Sequence, residues 1–325
     1  MKAALCKSLD GPDAITIEDI AEPTPGKGEV VVRVRAAALN FLDTLVVRGK
    51  YQVKPALPFS PASEFAGEVA ALGEGVTRFK VGDRVFGYGT IGAAREKIAA
   101  PAASLVMTPD GVPDEAAAGI AVTYGTGYYA LKDRAAIKPG ETLAVLGASG
   151  GAGLSAVELG KLMGARVIAC ASSPEKLEVC RSRGADHLID YSKADLKDAL
   201  REATGGKGVD VVYDCVGGPH AEPAIRSMNW AGRFLVIGFA AGDIPKIPLN
   251  LLLLKSCSLV GVFWGAAVQR DPAANADNMA SLVKWIAEGK LRPHIHKVFP
   301  LAQTADAIRE LDRRASTGKV IIKVD

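Results

Sequence analysis

Apolar and polar positions alternate in short runs along the first part of the chain, the mark of strands with one buried face. Val30-Val31-Val32-Arg33-Val34-Arg35, Glu68-Val69-Ala70-Ala71-Leu72 and Asp83-Arg84-Val85-Phe86 are such runs. Pro and Gly clusters at 23–28, 55–61 and 73–75 punctuate them. Met1 to Cys6 reads as a first strand running into Gly11-Pro12-Asp13. Up to about residue 120 the pattern predicts an irregular β-rich domain.

From about 120 to 260 the rhythm becomes strand–helix–strand. Leu143 to Leu146, Arg166 to Cys170, His187 to Asp190, Val209 to Tyr213, Phe234 to Ile237 and Leu259 to Val262 are apolar strand-like runs. Between them lie helical patterns at Leu154 to Gly164, at Pro174 to Arg183 with Gly184 after it, and at Ser192 to Thr204. Continuous apolar strands alternating with amphipathic helices predict a parallel sheet covered on both faces. Asn278 to Glu288 reads as a further helix and Lys319 to Val324 as a last strand. The fold class is therefore α/β, and 325 residues suit two domains.

Composition changes this picture little. Charges nearly balance, 39 basic against 36 acidic residues, with no basic stripe, so nucleic acid is not an expected partner. Arg313-Arg314 with Lys319 reads as an ordinary charged terminus. Leu249 to Trp264 is the most apolar stretch, but Asn250, Lys255 and Ser256 interrupt it and it falls short of a bilayer span. Met1 to Cys6 is too short and polar for a signal peptide, and a soluble, cytoplasmic chain is expected. Five cysteines without a CxxC pair imply reduced thiols and no structural zinc.

The sharpest local signal is Leu146-Gly147-Ala148-Ser149-Gly150-Gly151-Ala152-Gly153, set between a strand and a helix. Such glycines let the backbone approach a pyrophosphate, and the helix N-terminus offers free N–H groups. Ser149, Gly150, Gly151 and Ala152 are the candidate contacts. The end of the next strand decides the cofactor. NAD binders usually place Asp or Glu there, whereas this chain has Ala171-Ser172-Ser173-Pro174-Glu175-Lys176. Small hydroxyls leave room for a 2′-phosphate, Lys176 supplies charge, Tyr191 can reach the same pocket, and Glu175 belongs to the solvent side. NADPH is favoured over NADH.

The same turn also spells G-x-S-x-G, the nucleophile elbow of α/β-hydrolases. Ser149 would then be a nucleophile, with Asp214 and one of His220, His294 or His296 behind it. No His occurs before 187, so an oxyanion segment of the HGG type is missing, and Gly153 is unexplained. A third class, a non-catalytic NADPH sensor, would use the nucleotide fold without chemistry.

Taken in order, several motifs resemble the medium-chain dehydrogenase/reductases. They are Ala38-Leu39-Asn40-Phe41-Leu42-Asp43, Pro61-Ala62-Ser63-Glu64-Phe65-Ala66-Gly67, Val81-Gly82-Asp83-Arg84-Val85 and Ala121-Val122-Thr123-Tyr124-Gly125-Thr126. The Gly-rich turn, Tyr213-Asp214-Cys215-Val216-Gly217-Gly218 and Gly318-Lys319-Val320 continue the likeness along essentially the whole chain. Gly238-Phe239-Ala240-Ala241-Gly242, Pro248-Leu249-Asn250 and Gly261-Val262-Phe263-Trp264-Gly265 are similar to the quinone oxidoreductase-like branch.

The resemblance implies a GroES-like catalytic domain from residues 1–120 and 261–325, with a Rossmann NADPH-binding domain at 121–260. It implies NADPH in the cleft between them and a homodimer through the edge strand near Leu259 to Phe263. An apolar edge strand needs covering on physical grounds as well. The zinc-dependent cousins carry Cys and His ligands where this chain has Asp43 and its surroundings, so no metal site is expected and alcohol oxidation loses its Lewis acid. What remains is hydride transfer to a quinone or an activated enone, with enone or enoyl thioester reduction of the alkenal type as the alternative. By the same resemblance Asn40 lies beside the nicotinamide ribose and substrate, Thr126 meets the nicotinamide amide, and Tyr51 orients or protonates a carbonyl oxygen. Val216, Phe239, Ala240, Phe263 and Trp264 line the cofactor, and Ser316 to Lys319 approach it. Leu45 stands where simple quinone reductases carry a second Tyr, and Ala62 replaces a Gly.

Overall fold

Unbroken apolar runs predict strands with both faces covered, and residues 143–146 and 167–170 behave that way in the computed structural model, which describes residues 1–89 and 91–325. The chain opens with β1 (Lys2–Cys6), β2 (Ile15–Asp19), β3 (Glu29–Leu39), α1 (Phe41–Val46), β4 (Glu64–Leu72), β5 (Arg84–Tyr88), β6 (Lys97–Pro101), β7 (Leu105–Met107) and α2 (Asp114–Ala118). Then follow α3 (Ala121–Tyr128), β8 (Thr142–Leu146), α4 (Gly151–Leu162), β9 (Arg166–Ala171), α5 (Pro174–Ser182), β10 (His187–Asp190) and α6 (Leu196–Ala203). Next come β11 (Val209–Asp214), α7 (Ala221–Arg226), β12 (Met228–Val236), α8 (Asn250–Leu253), β13 (Ser258–Gly261), α9 (Trp264–Arg270) and α10 (Pro272–Ala287). The chain closes with β14 (Ile295–Pro300), α11 (Thr304–Asp312) and β15 (Lys319–Lys323).

Two compact units result, Met1–Val122 with Val283–Asp325, and Thr123–Leu282. The crossings fall at 122/123, inside α3, and at 282/283, inside α10, beside the expected 120/121 and 260/261. The second crossing comes late because α9 and most of α10 stay with the second unit; Asn278 of α10 accepts from Lys132 and donates to Asp133 there.

In the first unit a sheet of order β14-β15-β3-β4-β5-β7, with β6 also on β3, is antiparallel except for β14 beside β15. β3 is its spine and runs four residues beyond the alternating stretch read from the sequence. Val30, Val32 and Val34 face the core, and then Ala37 and Leu39 do, because the register slips between Val34 and Ala36 and reverses the parity.

The second unit carries six parallel strands in the order β10-β9-β8-β11-β12-β13, the doubly wound Rossmann arrangement. Ala144, Leu146, Ile168 and Cys170 pack into a core shared with Leu196 and Leu200 of α6 and Ala224 and Ile225 of α7. The alternate residues Leu143 and Val167 press on Gly160 of α4, where a Cβ would meet Leu143 at 2.6 Å. Both parities are thus buried, which is why these strands read as continuous apolar runs. No helix among the described residues is long and apolar enough to cross a membrane.

Candidate functional site

In this topology ligands sit beyond the carboxyl ends of the strands where the order reverses, here between β8 and β11. The Gly-rich turn occupies that place. Gly147 has φ +70, and a Cβ on it would stand 2.8 Å from Val216 of the loop after β11. A Cβ on Gly153 would overlap the carbonyl oxygen of Gly147, so α4 can start this close to β8 only with glycine there. Gly150 is the N-cap of α4, no side chain caps the helix, and Gly150, Gly151 and Ala152 are half-exposed. The first-turn N–H groups have no partner within the helix, the arrangement in which a helix N-terminus can take an anion. Ser149 is buried beside them.

At the end of β9, Ser173 caps α5 by accepting from the Lys176 backbone N–H. The Lys176 ammonium donates to Ser172 Oγ at 3.0 Å, and Tyr191, after β10, is hydrogen-bonded to the same Ser172. Burial lowers the Lys176 pKa and pushes Tyr191 up to about 12. Glu175 is exposed. A cation and three hydroxyls therefore gather where an NAD site would hold a carboxylate, a set that fits a phosphate. His220 joins the cluster, its ring centroid 4.4 Å from that of Tyr191. Sequence reading met His220 only as a hydrolase candidate, because nothing local links it to Tyr191.

The remaining calls in the second unit divide. Val216, Phe239 and Ala240 line the loops after β11 and β12, where Ala240 N–H donates to Cys215 O and a Cβ on Gly217 would touch the Phe239 ring. Thr126 is half-buried on α3. Trp264 turns inward: it is buried, packs its ring on Gly125, and donates from Nε1 to Asn275 Oδ1 at 3.2 Å. Phe263 is left 64% exposed. The hydrolase partners are engaged elsewhere. Asp214 Oδ1 accepts from the N–H groups of Val216 and Gly217, His220 stacks on Tyr191, His296 meets Glu310, and His294 meets Thr317.

In the first unit the Asn40, Asp43 and Glu64 motifs converge with Lys319. Asn40 directly follows β3 as the N-cap of α1, Glu64 begins β4 and Lys319 begins β15, and the order β15-β3-β4 makes these strands neighbours. Leu39 pairs with Val320 and Ala38 with Glu64, so Asn40 lies between the other two. Its Nδ2 donates to Glu64 Oε1 at 2.8 Å, and Lys319 Nζ donates to Asn40 Oδ1 and to Glu64 Oε1, both at 2.7 Å. Glu64 Oε2 accepts from Val122 N–H at 2.6 Å. Asp43 accepts from Asn40 N–H at 2.8 Å and from Ala62 N–H at 2.9 Å. Burial raises the Asp43 pKa to about 6, against the pull of those amides and of Lys319. Ala62 sits at φ +67, which accounts for the Gly it replaces. Tyr51 is half-buried against the core, and burial with the nearby Asp43 charge raises its pKa.

Lys319 corrects the reading of an ordinary charged terminus, since its side chain is only 4% exposed. The two carboxylates that might suggest a metal are committed: both oxygens of each accept hydrogen bonds within the protein, and the Lys319 ammonium stands against Glu64. Among the described residues no three His, Cys, Asp or Glu side chains gather in a metal-ligating group. These residues do not fit a catalytic zinc.

Residues 26–110 match the alcohol dehydrogenase GroES-like domain, and residues 151–285 match the family described as zinc-binding dehydrogenase. Quinone oxidoreductase-like protein 2 of Rattus norvegicus is 39% identical over 324 residues, 99% of this chain and 92% of the relative. Quinone oxidoreductase of Pseudomonas syringae, a solved structure, is 34% identical with a TM-score of 0.92 over 99% of each chain. The Escherichia coli quinone oxidoreductase, solved in complex with NADPH, is 28% identical with a TM-score of 0.93, covering 99% of this chain and 100% of that one.

Proposed function

The chain belongs to the quinone oxidoreductase-like family of the medium-chain dehydrogenase/reductases, and from that premise we propose that it reduces a quinone or an activated enone with NADPH and without zinc. The observation that carries the cofactor is the strand end at β9, where Lys176 and Tyr191 converge on Ser172 and the acidic Glu175 is exposed, bonded to Ser173. NADPH in related crystal structures supports the same choice. When bound, NADPH supplies a hydride from its nicotinamide ring.

The chain's own residues do the rest. The amides of Ser149, Gly151 and Ala152 hold the pyrophosphate, with Gly150 closing the turn on Gly147 O beneath it, and Ser172, Ser173, Lys176 and Tyr191 hold the 2′-phosphate. Thr126, Val216, Phe239 and Ala240 orient the ring. Asn40 and Tyr51 attend the acceptor. Both are hydrogen-bond donors, which suits a carbonyl oxygen gaining charge, and burial keeps the Tyr51 proton in place at neutral pH. A second copy of the chain covers the edge strand β13, where Leu253, Leu254, Leu259 and Phe263 are exposed.

The test is NADPH consumption by purified protein, with 1,4-benzoquinone and a simple enone in parallel and NADH as control. Turnover of the quinone with NADPH is the expected result. Turnover of the enone alone moves the chain to alkenal-type reduction. Tight NADPH binding with no turnover of either acceptor would refute the reductase reading and favour a sensor.

A further inference from the structure

The triangle of Asn40, Glu64 and Lys319 fixes more than a salt bridge. An ammonium only donates and a carboxylate only accepts, so the atom of Asn40 facing Lys319 is Oδ1 and the atom facing Glu64 is Nδ2. The amide cannot be turned over without setting N–H against ammonium and carbonyl against carboxylate. One Nδ2–H is left. The three side chains come from adjacent strands of one sheet, and Glu64 is fully buried, so the anchor has little freedom. The Lys319 stem crosses Gly119 just after α2, where a Cβ would stand 3.1 Å from its Cγ. That glycine has φ −89, a value any residue adopts, so it serves the space and not the backbone.

We propose that Lys319 is the fixed internal cation beside Glu64, a positioning residue that locks the Asn40 amide so that its second Nδ2–H is offered to a bound acceptor. The role of the offered N–H rests on the reductase reading; the locking of the amide does not. The family description names zinc, yet in this chain an ammonium on β15 holds the positive charge beside Glu64. Metal chelators are therefore expected to leave activity unchanged.

The experiment uses whole ¹⁵N-labelled protein and three variants: Lys319→Met, Lys319→Met with Glu64→Gln, and Gly119→Ala. The double variant removes both charges of the Lys319–Glu64 pair while Asp43 keeps its bonds from the Asn40 and Ala62 N–H groups, and Gly119→Ala keeps every charge while pressing on the Lys319 stem. The Asn40 side-chain amide pair, assigned through Asn40→Asp, is expected to be strongly split and slow to exchange in the wild type. Its splitting should collapse toward that of solvent-exposed Asn in the double variant and shift in Gly119→Ala. With the acceptor that the wild type turns over, kcat should fall about a hundredfold in the double variant. The NADPH KM should stay within about twofold, because those contacts lie elsewhere. Unchanged Asn40 signals in a folded double variant, or in Gly119→Ala should the double variant not fold, would overturn the proposal. A collapsed pair with undiminished kcat would overturn the donor role. If the wild type reduces neither acceptor, the reductase reading falls, and the amide signals alone decide whether Lys319 holds Asn40.

Discussion

Replacing Gly153 by Ala tests the nucleotide cradle at its tightest point. The added Cβ would overlap Gly147 O and stand 2.8 Å from the Cα of Ala148. Both are backbone atoms at the end of β8, so no side chain can swing aside, and α4 must retreat by about 1 Å to reach ordinary contact. Overpacking of this kind costs about 1–3 kcal/mol. The gain of Ala over Gly inside a helix returns about 1 kcal/mol. The net loss is then about 0–2 kcal/mol, a fall in Tm of up to roughly 8 °C for a domain of this size. Binding should suffer more than stability, because the same 1 Å shift withdraws the N–H groups of Gly151 and Ala152 from the pyrophosphate; about a hundredfold weaker NADPH is expected. Gly150→Ala is the internal control, since φ is −73 and the nearest atom to its Cβ lies 3.6 Å away. Thermal denaturation and calorimetric titration with NADPH give both numbers. If Gly153→Ala matched the wild type in Tm and in NADPH affinity, the argument from close approach would be wrong.

Lys176→Ala should weaken NADPH about tenfold and leave NADH unchanged, as expected for one half-exposed charged contact; equal losses in calorimetry would remove the 2′-phosphate assignment. The Asp43 carboxyl, with its pKa raised to about 6 by burial, should show a ¹³C midpoint near that value, and a midpoint below about 4 would contradict it. The folded state binds this proton more tightly than the unfolded one. The group's contribution is therefore complete below pH about 4 and is lost as pH rises through about 6, by about 3 kcal/mol, measurable as the pH dependence of denaturant unfolding. Sedimentation should give a dimer that Leu259→Lys with Phe263→Lys converts to a monomer of nearly the same Tm, because both side chains are already exposed; a wild-type monomer would dispose of the edge-strand interface.

The sheet of the second unit was legible because its signal is local. Leu143 to Leu146 and Val167 to Cys170 lie between helices on both faces, so every position is apolar and the run stands out. Helix starts were less legible: α4 begins at Gly151, inside the turn, where glycine has poor helix propensity and the tight turn overrides it. The phosphate cluster was readable for Ser172, Ser173 and Lys176, which sit within one turn of a predictable strand end. His220 was not, since Tyr191 and His220 follow β10 and β11, which two other strands separate in the sheet. Lys319 was the hardest. A lysine near a chain end is exposed by default, and its partners Glu64 and Asn40 are 255 and 279 residues away.

The turn at Gly147 to Gly151 shows why a motif alone cannot choose a chemistry. A nucleophile elbow and a pyrophosphate cradle both need a strand ending in glycine and a helix beginning at once, so the five letters are common to both. The choice is made by groups outside the motif. An elbow needs Asp214 free to orient an imidazole, but its Oδ1 is taken by the amides of Val216 and Gly217, which shapes the loop facing Gly147. It also needs a histidine within reach of Ser149, and His220 is packed on Tyr191 beside Ser172 instead. The acid closes a loop and the imidazole packs on Tyr191, so neither supposed triad partner is aimed at Ser149. By the same logic Asn40 takes its meaning from Lys319 and Glu64, which turn an ordinary amide into a donor of one fixed direction.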